Sequence, residues 1–186
     1  MRLLIFFAFC YLLFYAPLQA QNGIDLSGFT GYATQDFGTG QLSGNNRTLQ
    51  LLGNAWKKIE VNYTVTPETI VSFQIRVDGP GEIHGIMFDT NNNFNFSLDT
   101  PRAFRVFGSQ NWANDDFANY PGSGWESYSI PVGQYYTGTF QYFVFIGDKD
   151  SNGASQDSTF RNLRIYEGVN EVITNRRITY RVNPDN

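Results

Sequence analysis

The amino-acid sequence predicts an all-β domain, and more narrowly a two-sheet antiparallel β-sandwich of the jelly-roll type. Aromatic residues make up 17% of the chain, and short runs of alternating apolar and polar residues are separated by turns rich in glycine, proline and asparagine. After the first twenty residues, no stretch shows the 3.6-residue period of an amphipathic helix. Short strands at this spacing are typical of two sheets packed face to face.

The first twenty residues have the features of a secretory signal peptide. Arg2 precedes an apolar run, and the segment ends at the small residue Ala20, after which cleavage is expected. The apolar run is shorter than a membrane span requires. We therefore predict a secreted protein with a signal peptide at 1–20, a β-sandwich domain at 21–168 and a tail or linker at 169–186.

Composition excludes several classes of function. The single cysteine, Cys10, lies within the signal peptide, so the mature domain is predicted to contain no disulfide, zinc-thiolate site or cysteine nucleophile. The formal net charge is −4, and losing Arg2 with the signal makes the mature chain one unit more negative. An acidic chain without a Lys/Arg cluster argues against nucleic acid and anionic membranes as partners. The sequence does not indicate an oligomeric state.

The first half of the domain contains five predicted strands. Residues 56–65 alternate between more polar and more apolar positions. The alternate positions that include Trp56 and Lys58 are expected to face solvent. Residues 69–78 continue the alternation, and the segment 79–81, Gly-Pro-Gly, has the composition of a tight turn. We therefore expect strands 69–78 and 82–89 to form a hairpin. The two remaining strands are predicted at 24–37 and 48–52, with a polar turn at 43–46 between them.

The second half is predicted to alternate between loops and strands. Residues 90–101 are rich in asparagine and predict a loop. The longest irregular segment is predicted at 108–124, and a connection of this length inside a compact domain is usually functional or disordered. Its aromatic residues argue against disorder. Strands are predicted at 103–107 and 125–130, and a loop at 131–138.

The stretch 139–166 is the feature around which the chain is expected to be organised. Apolar residues on both parities between Phe140 and Ile146 predict a strand that is covered on both faces and lies deep in a sheet. This strand runs directly into a loop rich in oxygen-bearing side chains, and a second strand resumes at Phe160. We expect these two strands to form the hairpin that closes the domain near Glu167.

The loop after this strand matches the first half of a calcium-binding loop. Asp148, Asp150 and Asn152 alternate before a glycine, and Asp157 follows, so that the loop offers the oxygen ligands that a hard cation prefers. The position at which an EF-hand carries glutamate is occupied by Thr159, and no helices are predicted beside the loop. The alternative is an ordinary polar hairpin loop, in which the same residue types are frequent.

A second oxygen-rich run follows the strand 82–89. Asp89 and Asn91 are candidate ligand-binding residues there, and Asp89 is expected to lie at the same rim of the sandwich as Asp148 if their strands are neighbours. The alternative is a solvated turn capped by its own side chains.

The sequence lacks a recognisable catalytic set. His84 is the only histidine, and no serine elbow or paired histidine accompanies it. A lone histidine in a strand is more often packed or hydrogen-bonded than catalytic. We therefore predict that the protein is not an enzyme. The alternative is a jelly-roll lyase or hydrolase that uses His84 or Tyr135 together with Asp89.

Aromatic residues in or beside the loops are candidates for ligand binding. A flat ring can stack on the apolar face of a sugar, while Gln110, Asp89 and Asp148 could bond to its hydroxyl groups. The alternative is that the rings fold inward, which we expect of at least half of them. Trp112 is the best candidate to stay exposed, and Trp125 is expected in the core. The full set is Trp112, Tyr120, Trp125, Tyr135 and Tyr136.

An ordered set of motifs resembles a known family. The motifs are HGIMFD from His84, GSQ-x-W from Gly108, YSIPVGQYYTG from Tyr128, FIGD-x-D from Phe145 and STFRNL from Ser158. Together they resemble a jelly-roll carbohydrate-binding module of the kind found in secreted, often marine, polysaccharide-degrading proteins, and this resemblance covers about 24–167. It implies that the domain predicted at 21–168 is carbohydrate-binding-like. The resemblance implies a binding surface formed by the end of the HGIMFD strand, the GSQ-x-W loop and the D-x-D loop. It also implies a polysaccharide or glycan as partner and calcium as the expected cation.

The function predicted from these observations is secreted, non-catalytic, lectin-like polysaccharide binding assisted by calcium. The expected ligand-binding residues are His84, Asp89, Asn91, Gln110, Trp112 and Tyr135, and the expected metal ligands are Asp148, Asp150, Asn152 and Asp157. A third class, a secreted structural or adhesive protein, would require a large exposed apolar strip on one sheet face. The alternation in 69–78 does not favour such a strip.

Overall fold

Two antiparallel sheets of five strands each form the domain in the computed structural model, which describes residues 23–150 and 156–168. Sheet 1 has the strand order β1-β4-β9-β6-β7, and sheet 2 has the order β2-β3-β10-β5-β8. This arrangement confirms the predicted β-sandwich. The strands are β1 (Thr30–Gly31), β2 (Thr39–Ser43), β3 (Thr48–Leu52), β4 (Ala55–Val65), β5 (Thr69–Gly79), β6 (Ile83–Asp89), β7 (Ala103–Phe107), β8 (Glu126–Ile130), β9 (Gly138–Asp148) and β10 (Asp157–Glu167).

The main core lies between the two sheets and follows from the alternation of side chains along each strand. In β5, Val71, Phe73 and Ile75 are buried, whereas the intervening Gln74 and Arg76 lie on the outer face of sheet 2. Burial of apolar surface at roughly 25 cal/mol per Å² is the main stabilising contribution of such an interface.

Strand β9 occupies the centre of sheet 1 and is covered on both faces, as its apolar composition predicts. Phe143 and Phe145 point into the main core. Val144 and Ile146 point the other way, into a second apolar cluster on the outer face of sheet 1. That second cluster has no counterpart in the sequence-based expectations.

Both predicted hairpins are wrong. Strands β5 and β6 lie in different sheets, so the segment 79–81 carries the chain across the sandwich instead of reversing it within one sheet. The chain likewise crosses between β9 in sheet 1 and β10 in sheet 2. Turn residues mark where a chain changes direction, but they do not specify which strand it pairs with next.

The N-terminal part of the domain also departs from expectation. The strand predicted at 24–37 is reduced to the two residues of β1, and β2 was not predicted. Strand β2 pairs with β3 through a turn in which Gly44, Asn45 and Asn46 have φ values of 59°, 55° and 62°. Glycine and asparagine adopt this left-handed conformation at the lowest cost.

The connections carry little helix. Within the predicted loop 90–101 lies one short helix, α1 (Phe96–Asp99), whose N-terminus is capped by the Asn95 side chain. Short 3-10 turns occupy Thr100–Arg102 and Val132–Gln134, and the segment 108–124 is irregular as predicted. In the part of the chain that the structure describes, no helix has the length and apolarity needed to cross a bilayer. The predicted signal peptide at 1–20 and tail at 169–186 lie outside the described residues.

Candidate functional site

The outer face of sheet 1 carries an apolar cluster that loops cover. Side chains of β4, β6, β7 and β9 form its base, and aromatic residues from the connecting segments pack onto them. We call this group the outer cluster. Its buried members are Tyr32, Trp56, Ile83, Met87, Ala103, Ala113, Val144 and Ile146, and Ala33, Phe94, Trp112 and Tyr142 are partly buried against it.

Two indoles are stacked at one end of the outer cluster. The rings of Trp56 and Trp112 are 5.9 Å apart between centroids and inclined by only 9°. Trp56 is 1% exposed, whereas Trp112 is half-buried and forms the outer member of the pair. Phe94 meets both rings edge-on, and Phe96, which is 60% exposed, contacts Trp112. The inner ring therefore holds the outer one in a fixed orientation.

An acidic group lies beside the indoles. Carboxylate oxygens of Glu82, Asp148 and Asp150 lie within 4.8 Å of one another. Strand pairing creates this proximity, because Ile83 of β6 pairs with Asp148 of β9 and the preceding Glu82 N–H donates to the Asp148 carbonyl at 2.8 Å. The Asp150 N–H donates to the Glu82 carboxylate at 2.6 Å, which holds the loop end in place.

Asp148 connects the acidic group to the indoles. Its Oδ1 accepts a hydrogen bond of 3.1 Å from Nε1 of Trp56. Burial raises the pKa of Asp148 to about 6, the Trp56 hydrogen bond opposes the rise, and the nearby charges of Asp150 and Glu82 add to it. Crowded carboxylates of this kind are stabilised by a cation or by hydroxyl donors.

These groups line one cleft of about 200 Å³, which we call the indole cleft. Gln110 contributes an amide to it and is itself oriented, because its Oε1 accepts a 2.9 Å hydrogen bond from Nε1 of Trp112. The cleft thus combines an aromatic surface with an amide and carboxylates, which together can donate and accept hydrogen bonds. The lining residues are Gln35, Trp56, Phe94, Phe96, Gln110, Trp112, Asp148 and Asp150.

Four of the residues proposed from the sequence meet in this cleft, namely Gln110, Trp112, Asp148 and Asp150. Asn152 lies outside the described residues. Asp157 begins β10 in sheet 2, and both of its carboxylate oxygens accept hydrogen bonds from the Gln50 amide at 2.9 and 3.0 Å. It is not part of the acidic group with Asp148.

Asp89 and Asp148 do not share a rim, which corrects the expectation from the sequence. In the antiparallel pairing of β6 with β9, Asp89 lies opposite Tyr142 while Asp148 lies opposite Ile83. Six residues of strand separate the two positions, or about 20 Å at the usual rise per residue. The two carboxylates therefore cannot act on one ligand group.

Asp89 and His84 are each 0% exposed, and we leave both out of the site. Asp89 accepts a 2.9 Å hydrogen bond from the Tyr32 hydroxyl and forms a 2.9 Å ion pair with Arg102. Arg102 also pairs with Asp99. This network ties β6 to the helical segment after it and leaves no surface for a ligand. His84 points into the interior, where burial lowers its pKa to about 4.

The remaining two candidates lie elsewhere. Asn91 is exposed beyond the Asp89 end of β6 and does not line the indole cleft. Tyr135 is partly exposed, packs edge-on against Phe104 and donates a 2.7 Å hydrogen bond to Asp116. Neither residue lines the indole cleft with Trp112.

Two of the expectations about aromatic burial are wrong. The sequence predicts that Trp56 faces solvent, yet the loops that carry Phe94 and Trp112 cover it. Trp125 was expected in the core, yet it is half-buried on the outer face of sheet 2, with its ring beneath the Arg161 guanidinium. Alternation along β4 cannot show what covers the face that carries Trp56. The position of Trp125 at the start of a strand likewise does not show on which side of the sheet its ring packs.

Sequence reasoning missed Glu82, Trp56, Phe94 and Phe96. The aromatic density of 94–96, in a loop otherwise rich in asparagine, was the available signal for the two phenylalanines. Glu82 directly follows a turn and has no local mark, because only the pairing of β6 with β9 brings it beside Asp148.

Comparison with protein families and with curated proteins gives no match. Among solved structures, the chain is similar to the extra C-terminal domain (X) of an exo-1,3/1,4-β-glucanase (ExoP) from a Pseudoalteromonas species. The TM-score is 0.36 and the identity is 10%, over 77% of this chain and 86% of that one. A likeness at this level supports no argument about function, which is therefore drawn from the residues of the site.

Proposed function

We propose that this protein is a secreted, non-catalytic carbohydrate-binding protein that holds a polysaccharide in the indole cleft. The observation that carries the proposal is the partly exposed Trp112 ring, fixed by its stack on Trp56 at the edge of a cleft that also contains Gln110 and two carboxylates. An immobilised aromatic ring is suited to stacking on the apolar face of a pyranose, and fixed amide and carboxylate groups are suited to its hydroxyls.

A non-catalytic role is favoured by the position of the only histidine. His84 is one of the two residues that the alternative enzyme would use with Asp89, the other being Tyr135, and it is 0% exposed. Asp89, its expected partner, is engaged by Tyr32 and Arg102. Secretion rests on the signal-like segment at 1–20.

The direct test is binding to soluble neutral polysaccharides such as laminarin, xylan and agarose, measured by affinity electrophoresis and calorimetry on the mature protein. Trp112→Ala should weaken binding of the retained polysaccharide roughly tenfold or more, which corresponds to about 1.4 kcal/mol. Trp125→Ala is the matched control, because it removes a half-buried indole from the other sheet. That variant should bind neutral polysaccharide as the wild type does.

Gln110→Ala provides a second variant in case loss of Trp112 disturbs the packing around Trp56. It removes an amide from the cleft without opening the outer cluster, and it should also weaken binding. The proposal is wrong if no neutral polysaccharide is retained, or if Trp112→Ala and Gln110→Ala both bind like the wild type while melting normally.

We further propose that a calcium ion binds to Glu82, Asp148 and Asp150. Three carboxylates supply part of the six to eight oxygen ligands that calcium takes, and backbone, water or sugar oxygens would complete the set. A cation bound only by the folded state raises the melting temperature with its concentration. Calorimetric melting with calcium, magnesium or chelator should show this rise for wild type with calcium.

Asp150→Asn is the informative variant for the cation, because Asp150 is exposed and its loss should not unfold the domain. The variant should melt at the same temperature with and without calcium. Equal melting of the wild type in calcium and in chelator, with unchanged polysaccharide binding, would show that the acidic group binds no calcium.

A further inference from the structure

The outer face of sheet 2 differs from the outer face of sheet 1 because it is polar and carries arginines. The core residues of β3, β5 and β10 point inward, so the intervening side chains point away from the sandwich. No loop with an aromatic cluster covers them in the described part of the chain. The outward residues include Thr48, Gln50, Ser72, Gln74, Arg76, Thr159, Arg161 and Arg164.

Trp125 lies on this face among the arginines. The guanidinium carbon of Arg161 is 3.7 Å from the centroid of the indole, and that of Arg76 is 5.4 Å away. Such cation–π contacts hold both the ring and the guanidinium groups in place. An indole and fixed cations therefore occupy the same surface.

Two adjacent cavities lie along this face. One, of about 250 Å³, is lined by Gln41, Gln50, Arg76 and Trp125 among others. The second, of about 210 Å³, is lined by Gln74, Asn162 and Arg164 among others. They form one elongated surface, because Arg161 stacks on the Trp125 of the first cavity and bonds to the Gln74 of the second.

The centre of this surface carries positive charge that no neighbouring carboxylate of the described residues neutralises. Nε of Arg161 donates to the neutral Gln74 at 2.8 Å, and neither Arg161 nor Arg164 has a carboxylate partner within residues 23–150 and 156–168. The acidic groups of this face lie towards the start of β10, where Asp78 pairs with Arg76 and Asp157 is held by Gln50. Guanidinium groups bind carboxylate and sulfate oxygens with paired N–H donors.

We propose that the outer face of sheet 2 binds an anionic saccharide, with Arg161 and Arg164 holding its carboxylate or sulfate while a sugar ring packs beside Trp125. Gln50 and Gln74 keep neighbouring groups of this face in place, since Gln50 donates to Asp157 and Gln74 accepts from Arg161. This site is separate from the indole cleft, shares no residue with it and lies on the opposite face of the sandwich. It goes beyond the proposed function, because it adds a second ligand class at a second surface.

The test measures binding of the mature protein to polygalacturonate, dextran sulfate and neutral dextran by affinity electrophoresis and calorimetry. Binding to at least one of the two anionic polymers should be tenfold or more tighter than to dextran. It should weaken as salt is added, since exposed charges are screened. Preference for polygalacturonate identifies a carboxylate ligand, and preference for dextran sulfate identifies a sulfate ligand.

Three variants and one matched control assign the site. Trp125→Ala and Arg161→Gln should each weaken binding of the anionic polymer at least tenfold, and Arg164→Gln, at an exposed position, should weaken it several-fold without affecting folding. Trp112→Ala should leave it unchanged, although the same variant loses neutral polysaccharide. The two proposals can therefore fail separately. Neutral polysaccharide and Trp112→Ala test the indole cleft, whereas anionic polymer and the Trp125 and arginine variants test the outer face of sheet 2.

Several results would overturn the inference. One is equal retention by poly-L-glutamate, a polyanion without sugar rings, which would reduce the site to a general anion surface. Another is that neither anionic polymer binds more tightly than dextran. A third is an equal loss of anionic binding in Trp112→Ala, which would assign that ligand to the indole cleft.

Discussion

The buried histidine of β6 should make the stability of the protein depend on pH. His84 is fully enclosed, with its ring 5.8 Å from that of Phe107 and its Nδ1 3.5 Å from the Gln156 amide. Burial lowers its pKa from 6.5 to about 4, because the charged imidazolium would lose its hydration. Between these two values the unfolded chain binds a proton that the folded protein does not, so stability rises with pH across this window and falls as the protein is acidified.

The size of the effect follows from the two pKa values. At pH 7.5 the imidazole is neutral in both states and contributes no pH dependence. At pH 5 the unfolded state is largely protonated and the folded state is not, which lowers the free energy of unfolding by about 2 kcal/mol. Below pH 4 the loss levels off at roughly 3.4 kcal/mol.

The assay compares urea unfolding of the wild type and of His84→Gln between pH 8 and pH 4. The variant is neutral throughout, so the difference in unfolding free energy between the two proteins should shift by about 2 kcal/mol between pH 7.5 and pH 5. The contribution of Asp148, whose raised pKa acts in the opposite direction, is common to both proteins and cancels in the difference.

A constant difference between wild type and variant across that range would refute the reasoning. Nuclear magnetic resonance provides an independent check, because the chain has a single histidine and its ring protons need no assignment by mutation. Those protons should show no titration near pH 6.5 in the folded protein. A midpoint near 6.5 would mean that the ring is hydrated.

Three further predictions concern the scaffold and the site. Gly85→Ala should strongly destabilise the fold, since a Cβ there would lie 2.1 Å from a backbone oxygen of β7; thermal melting measures this, and an unchanged melting temperature would contradict the packing. Arg102→Met should cost about 3–5 kcal/mol of stability, because it leaves the buried carboxylates of Asp89 and Asp99 unpaired; an effect below about 1 kcal/mol in urea unfolding would be inconsistent with a shared ion-pair network. Asp148→Asn should raise stability at pH 7.5 without divalent cations by about 1–3 kcal/mol, because the native carboxylate is buried and its pKa is raised to about 6. The same substitution should abolish the effect of calcium on the melting temperature. A variant less stable than the wild type without calcium would contradict the view that the buried charge of Asp148 destabilises the fold.

Most strands could be predicted from the sequence because alternation and turn residues are local properties. The predicted segments 48–52, 56–65 and 69–78 agree with β3, β4 and β5 to within a residue. The two-face burial of β9 was equally visible, since apolar residues occupy both parities. Prediction failed at 24–37, where glycines and aromatic residues produced a strand-like pattern in a segment that is mostly irregular.

The candidate site was predictable in part for the same reason. An oxygen-rich run at the end of a strand indicated Asp148 and Asp150, and aromatic residues in a long loop indicated Trp112. Neither pattern could indicate Glu82, because its proximity to Asp148 depends on the register between β6 and β9. The same register separates Asp89 from Asp148.

The sequence by itself determined the all-β class, the positions of most strands, and which loops are rich in aromatic and oxygen-bearing side chains. These are consequences of side-chain chemistry within a few residues of chain. Only the tertiary structure decided that the segment 79–81 and the connection from β9 to β10 join different sheets, that Trp56 lies under Trp112, and that one acidic group forms where β6 meets β9. Strand partners and coverage of a sheet face depend on burial between residues far apart in the chain, and a local pattern carries no information about that.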